Sequence, residues 1–358
     1  MKNDKFIGVK TTKIYCLPTC PARAPLPQNV VHFKTAAHAE GNGFRPCKRC
    51  FPDFPYGKWI DESASVILMP PQEFDFSQCL KFLTRSSLEP CHVVENNILY
   101  KLEKFEGEPV LIKIQGRDQN TICIDFLTSR PKKSIRARVA KYVWHWFDLD
   151  TDLRPFYRMA GKNPVLKNIT KELYGLRILT ISDLFEAICW AIIGQQINLT
   201  FAYTLKKRFV ESFGETVFFD NKHYYLFPTP QVISQQTVAE LRRLQFTGKK
   251  SEYLIELAKK INTGDLTKKR LLDHDGFDSA RKELMSLHGV GQWTADYVSL
   301  RCLMDPAAFP VADVGLQNAV KQQLGLSKKP NPEEIIRYSK GWKNWQAYTT
   351  FYLWASLI

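Results

Sequence analysis

The chain has 358 residues, 44% of them hydrophobic, and a net charge of +14 from 50 Lys and Arg against 36 Asp and Glu. That length predicts two or three domains with a well-buried core, and that charge predicts a polyanionic partner such as nucleic acid. There is no apolar run of membrane-spanning length and no apolar core in MKNDKFIGVK, so a membrane span and a secretory signal are not expected and the default location is cytoplasmic.

Residues 1–57 are short of apolar runs and rich in Pro, Cys, Lys and Arg. Residues 1–60 hold seven Lys and three Arg against Asp4, Glu40 and Asp53, so half of the surplus charge lies in one sixth of the chain. Four of the nine cysteines cluster as Cys16-x3-Cys20 and Cys47-x2-Cys50. Two close pairs of thiolates can close a tetrahedron around Zn2+, and a segment this small needs such a staple to fold. The competing readings are buried free thiols or a transient redox pair. Cys79, Cys91, Cys123, Cys189 and Cys302 have no ligand spacing and read as core thiols. FPDFPYGK (51–58) reads as a linker.

Residues 61–150 carry short runs at Val93–Val94, Ile98–Leu102, Val110–Gln115 and Thr121–Phe126, with turn signals at Glu95-Asn96-Asn97 and Gly116-Arg117-Asp118. This predicts an antiparallel meander with one exposed sheet face or edge, flanked by helices near Phe76–Ser86 and Ser134–Phe147. From about 151 the pattern is almost wholly helical. Helices are expected at Leu184–Ile193, capped by Ser182-Asp183, and at Leu199–Phe213, Ser251–Ile261, Ser279–Leu287, Trp293–Leu303, Ile335–Ser339 and Trp345–Leu357. Lys206-Lys207-Arg208 and Gly248-Lys249-Lys250 are either phosphate contacts or solvated helix faces.

The strongest local signal is LMSLHGVGQWTADYVSLRCL (284–303). One helix ends, His288-Gly289-Val290-Gly291 turns tightly, and a second helix begins near Gln292. Unpaired N–H groups at such a helix start can hold a phosphate. Some 20 residues on, FPVADVGLQNAV (309–320) puts Asp313 before another helix, where on local grounds alone it is an N-cap. Trp293 and Tyr297 are four apart and share a helix face, which on local grounds is core packing.

Two runs resemble known families. KTTKIYCLPTCPAR (10–23) with GFRPCKRCFPD (43–53) is similar to the N-terminal zinc domain of Ada-type methyltransferases. That likeness implies one zinc per chain on Cys16, Cys20, Cys47 and Cys50, with Cys16 accepting a methyl group stoichiometrically from a DNA methylphosphotriester. This chain has Lys13 and Leu17 where that family usually has Gly and Arg. The hairpin followed by Pro-Val-Ala-Asp resembles the helix-hairpin-helix DNA glycosylases. AIIGQQINLT (191–200), Trp293–Tyr297 and WKNWQAYTTFYLW (342–354) narrow the likeness to the 3-methyladenine DNA glycosylase II family.

The resemblance implies Asp313 as catalytic carboxylate and Trp293, Tyr297 and Trp354 as a pocket for a flipped base. It implies Gln196 or Ile197 as the residue filling the vacated stack, and His288, Gly289, Gly291, Gln292 and Thr294 as DNA contacts. Superfamily members that also cut the backbone have Lys where this chain has Trp293, so hydrolysis without strand cleavage is expected.

The expected architecture is multidomain α+β. A zinc-stapled domain occupies 1–57, an antiparallel α+β domain 61–150, and an all-α helix-hairpin-helix glycosylase core 151–358. The expected partner is double-stranded DNA, met by a monomer in the cytoplasm at the nucleoid, with no membrane. The competing class is a non-catalytic alkylation-damage sensor or DNA-binding regulator.

Overall fold

The computed structural model describes residues 6–18, 20, 22–47, 58–62, 64–118, 121–128 and 130–358. The N-terminal segment forms β1 (Phe6–Val9), β2 (Ile14–Cys16), β3 (Val30–Phe33), α1 (Ala36–Gly41) and β4 (Arg45–Pro46). The strands lie in the order β3-β1-β2-β4, and β4 runs parallel to β2. Among the described residues, only Tyr15, Phe33, Ala39 and Phe44 form its buried core. A Cβ at Gly8 would come within 2.5 Å of the Phe33 ring, so glycine there lets the aromatic rings lie flat on the sheet. Four side chains are too small a core to hold such a segment unaided.

Six strands then form an antiparallel sheet: β5 (Trp59–Asp61), β6 (Ser65–Leu68), and, after α2 (Phe76–Leu83), β7 (Val93–Glu95), β8 (Ile98–Phe105), β9 (Glu108–Asp118) and β10 (Thr121–Phe126). The order is β5-β6-β10-β9-β8-β7. The expected turn at Asn96-Asn97 is a two-residue hairpin, with Glu95 paired to Ile98 and both asparagines at positive φ. The meander is joined by two strands absent from the sequence expectation. β6 is buried at all four positions and β5 has only three residues, so neither shows the polar–apolar alternation of a half-buried strand.

Next come α3 (Lys133–Trp146), α4 (Arg154–Ala160) and α5 (Ile169–Glu172), then α6 (Leu184–Gly194) and α7 (Leu199–Phe213). Asp183 caps α6, accepting from the Glu186 N–H at 2.8 Å. The stretch after 151 is not purely helical. β11 (Thr216–Phe219) and β12 (Lys222–Tyr225) form a hairpin turned by Asp220-Asn221, both at positive φ. It packs Tyr224 and Leu226 against Leu102 and Leu111 of the large sheet.

Helices α8 (Pro230–Ser234), α9 (Val238–Arg243), α10 (Gly248–Asn262), α11 (Lys268–Leu272), α12 (Phe277–Met285) and α13 (Gln292–Val298) follow. The predicted helix Trp293–Leu303 is interrupted, for α13 widens into a π turn over Ser299–Leu303 that ends at Met304 in the left-handed region. The chain continues with α14 (Val314–Leu324), α15 (Pro332–Tyr338) and α16 (Gln346–Ala355).

The two large cores do not follow chain order. One gathers the six-stranded sheet, α3–α5 and, from far along the chain, Leu300 and residues of α14–α16. The other is built from residues between Leu184 and Leu303. Trp354 packs against both. No helix of the described residues is long and apolar enough to cross a membrane.

Candidate active site and nucleic-acid interface

Asp313 stands where the two large cores meet. As the N-cap of α14 it accepts from the Leu316 N–H through Oδ1 at 2.7 Å. That same oxygen accepts from Trp354 Nε1 at 2.8 Å, and Oδ2 accepts from Trp293 Nε1 at 2.9 Å. A carboxylate oxygen has about two lone-pair sites, so Oδ1 is filled and Oδ2 keeps one open. The cap is therefore the means by which the carboxylate is held, and three donors fix its plane.

The Trp293 and Tyr297 rings stack at 5.7 Å and 29°, and the Tyr297 and Trp354 rings lie 5.8 Å apart at 35°. All four expected pocket and carboxylate residues are thus brought together. Gly315 completes the corner: a Cβ there would lie 3.1 Å from Asp313 Oδ1 and 3.3 Å from the Trp354 ring. Sequence reasoning passed over it, although a glycine in the first turn of a helix is a local signal of close approach.

The hairpin joins α12 to α13. Gly289 has φ of +80°, and a Cβ on it would overlap the Tyr253 ring at 2.2 Å. His288 is exposed, edge-on to Tyr253 and 3.0 Å from Glu256. Gly291 begins α13 with nothing within 4 Å of where a Cβ would be, and Gln292 beside it is exposed and bonded to Asp296. Thr294 can meet DNA only through its main chain. Its side chain is 2% exposed and its hydroxyl accepts from Gln195, so only its main-chain N–H in the first helical turn is left for an anion.

Between α6 and α7, Gln196 is exposed at φ of +56°, and Ile197 is half-buried against the second core. Two residues hold this loop, Gln195, which the sequence reading missed, and Lys250, to which it gave another role. Gln195 donates through Nε2 to the Gly289 carbonyl at 2.8 Å and the Thr294 hydroxyl at 2.9 Å. Lys250 donates to the Ile193 and Gln195 carbonyls at 2.7 and 2.8 Å. Burial holds the Lys250 ammonium below its ordinary pKa. Lys250 and Lys206 are therefore neither phosphate contacts nor solvated. Lys206 is 6% exposed and bonded to Glu89 at 2.8 Å and Glu186 at 3.3 Å. Lysine runs read as exposed because nothing in the sequence marks the distant carboxylates and carbonyls they meet.

In the N-terminal segment the sulfurs of Cys16, Cys20 and Cys47 all lie within 4.8 Å of one another, with Cys20 and Cys47 3.9 Å apart. Tetrahedral Zn–S bonds of about 2.3 Å separate ligand sulfurs by roughly 3.8 Å, so these three thiols fit a zinc ion. β2 ends on Cys16 and its parallel partner β4 leads into Cys47, which is why a 26-residue gap closes into one cluster. Cys50 lies outside the described residues. No described cysteine is in a disulfide, and Cys79, Cys91, Cys123, Cys189 and Cys302 are all buried. Lys13 has φ of +52°, a conformation that glycine takes without strain, and its ammonium lies 4.7 Å over the Phe44 ring.

Three families of known proteins match in sequence along the chain. The metal binding domain of Ada matches residues 1–53, the N-terminal domain of 8-oxoguanine DNA glycosylase matches 66–188, and the HhH-GPD superfamily of base excision DNA repair proteins matches 189–344. The DNA-3-methyladenine glycosylase of Bacillus subtilis is 41% identical over 301 residues, covering 84% of this chain and 99% of the relative. A probable bifunctional transcriptional activator/DNA repair enzyme AlkA of Mycobacterium tuberculosis is 23% identical and covers 98% of this chain and 92% of its own. The structure of 3-methyladenine DNA-glycosylase from Archaeoglobus fulgidus superposes with a TM-score of 0.71 at 24% identity, covering 80% of this chain and 96% of that one, and so shares the fold. The chain belongs to the DNA-3-methyladenine glycosylase family of helix-hairpin-helix base excision repair proteins, with an Ada-type metal-binding domain at its N-terminus.

Proposed function

We propose that this chain removes alkylated bases of the 3-methyladenine and 7-methylguanine type from duplex DNA by hydrolysis, with Asp313 as the catalytic carboxylate. The observation that carries the reading is the grip of Trp293 and Trp354 on Asp313: the rings suited to a flipped base also hold the charge suited to its sugar. His288, Gly289, Gly291, Gln292 and the first amides of α13 grip the backbone, and Gln196, with Ile197 behind it, fills the vacated stack. Trp293, Tyr297 and Trp354 receive the base by stacking. Asp313 Oδ2 faces C1′ and stabilises the oxocarbenium-like transition state, as carboxylates do in glycoside hydrolysis. The C1′–N bond breaks, the base leaves with the electron pair, water adds to C1′, and Asp313 accepts the proton that water loses.

The likeness of residues 66–188 to an 8-oxoguanine glycosylase domain raises a second reading, a lyase for oxidised bases. It requires an amine beside the carboxylate. Asp313 has only two indoles and a main-chain amide as side-chain partners among the described residues.

Residues 1–57 act as a zinc module holding one ion on Cys16, Cys20, Cys47 and Cys50. The bound metal would keep these sulfurs deprotonated at neutral pH. The Cys16 thiolate attacks the methyl carbon of a methylphosphotriester; the S–CH3 bond forms, the O–CH3 bond breaks, and an ordinary phosphodiester is left. Residues 61–150 support the glycosylase core at 151–358, and the protein works as a monomer on nucleoid DNA in the cytoplasm.

The test is base release from methylated duplex DNA by the parent and Asp313→Asn, with a mass measurement on the Cys16 peptide of the parent afterwards. Release should fall at least about 100-fold in the variant, and the peptide should gain one methyl group. Equal release removes Asp313 from the mechanism. No release by the parent, with tight binding, makes the chain a damage sensor, and an unmodified Cys16 makes the zinc module a DNA-binding element alone.

A further inference from the structure

Asp313 fixes two rings of the aromatic group, and a cation fixes the third. Arg301, in the π turn, donates through Nη1 to the Tyr297 hydroxyl at 3.0 Å, and its guanidinium carbon lies 5.7 Å from the centre of the Tyr297 ring. Its Nε donates to the Leu179 carbonyl at 2.7 Å. Arg301 is 6% exposed, stacks on Phe82 and Phe351, and forms no ion pair among the described residues. Arg85 stacks on the same Phe82 ring at 4.3 Å and donates to the Tyr203 hydroxyl, again with no carboxylate in contact. Two guanidinium groups, which keep their charge inside proteins, thus lie beneath the aromatic group with neutral hydrogen-bond and ring partners, while the Glu186 and Glu89 carboxylates act on them from beyond ion-pair distance.

Their effect follows from how charge moves in the reaction. When a C1′–N bond breaks, the departing base gains one unit of negative charge, whether it began cationic or neutral. A buried positive charge on the base side favours that shift in both cases. On binding, however, a cationic base meets repulsion that works against its attraction to the rings, whereas an uncharged base meets none. A base stacked on Tyr297 would lie roughly 7–8 Å from the Arg301 guanidinium, close enough in a water-poor site for a unit charge to matter by about tenfold.

We propose that Arg301, with Arg85 beside it, widens the substrate range by assisting the departure of uncharged damaged purines and penalising the binding of positively charged ones. This rests on reading the aromatic group as the base pocket. Tyr297 transmits the effect, so Arg301 is a specificity-determining residue rather than one that touches the reacting bond.

The experiment compares kcat/KM for release of 7-methylguanine, which is cationic, and hypoxanthine, which is neutral, from duplex DNA. The full chain is used as parent, Arg301→Met and Arg301→Lys. In the Met variant the 7-methylguanine to hypoxanthine ratio should rise about tenfold, equivalent to about 1.4 kcal/mol. The Lys variant keeps the charge and should hold the ratio within about threefold of the parent. A merely structural Arg301 would lower both substrates together and leave the ratio unchanged, which overturns the proposal. So does a parent that releases 7-methylguanine but no hypoxanthine. If Arg301→Met does not fold, Arg85→Met is read on the same ratio, and an unchanged value overturns it. A parent that releases neither base defeats the glycosylase reading instead.

Discussion

Gly289 and Gly291 stand two apart in one turn, and the turn needs them for different reasons. Gly289 is held at φ of +80° with Tyr253 where its Cβ would be, whereas Gly291 has φ of −95° and open space beside it. Gly289→Ala should cost about 2–4 kcal/mol of stability, from the left-handed backbone and the clash together. Gly291→Ala should cost less than about 1 kcal/mol yet weaken duplex binding about tenfold, because its methyl group fills the space by which a phosphate reaches α13. Thermal melting and DNA titration of both variants check this; equal effects on stability and binding would remove the distinction. The sequence made both glycines visible because the turn is local. It made Asp313 visible only as a cap, because the indoles that hold it come from positions 20 residues before and 41 after. Arg301 and Gln195 gave no sign and Lys250 gave the wrong one, since each acts on a main-chain group or hydroxyl that no residue type announces.

The loop between α6 and α7 is rigid for a stated reason. Lys250 of α10 satisfies the Ile193 and Gln195 carbonyls at the C-terminal end of α6, and the Gln195 amide ties the loop to the hairpin. The loop and the hairpin therefore move as one piece, and with them the wedge and the phosphate grip of the proposed function. Lys250→Met keeps the aliphatic stem but leaves two carbonyls unmet, at a cost of about 1–3 kcal/mol. Base release should slow under single-turnover conditions while duplex affinity changes little, because the backbone contacts remain. Unchanged single-turnover rates would mean that the loop needs no such support. Helices were legible where capping residues and apolar periodicity agree, as at Asp183 before α6 and across the whole of α7. The hairpin β11–β12 was hidden inside a helical stretch, although Phe-Phe-Asp-Asn before an aromatic run carries the two-residue turn signal. The π turn had none, because one extra residue in a helical turn leaves the apolar pattern nearly intact.

Across the whole molecule, Lys206 on α7 binds Glu89, which follows α2, so a buried ion pair joins the two large cores. Burial pushes the Glu89 carboxyl up, but Lys206 outweighs it and holds the group down to about 2. Burial, helped by Lys206 and Lys101, outweighs Glu89 and the Leu83 carbonyl and lowers His92 to about 4. Both groups favour the fold at neutral pH: the His92 contribution fades as pH falls from 6.5 to about 4, and the Glu89 contribution from 4.5 to about 2. Asp148, raised by burial to about 6, has the opposite sign, losing its contribution as pH rises from 3.8 to about 6. Within these three groups His92 and Asp148 nearly cancel, so the loss in the midpoint of urea unfolding that they predict begins as pH falls below about 4.5. A steady decline from pH 6.5 would assign the cores' union to other groups. The sheet-bearing core draws its last helices from beyond the segment that builds the other core, and a ribosome must therefore finish the second before it can supply what completes the first. Trp293 and the hairpin leave the exit tunnel ahead of Asp313 and Trp354. On the proposed function, at a synthesis rate of about 5–20 residues per second the nascent chain passes through an interval of seconds in which it has the means to hold a DNA backbone and no means to release a base from it.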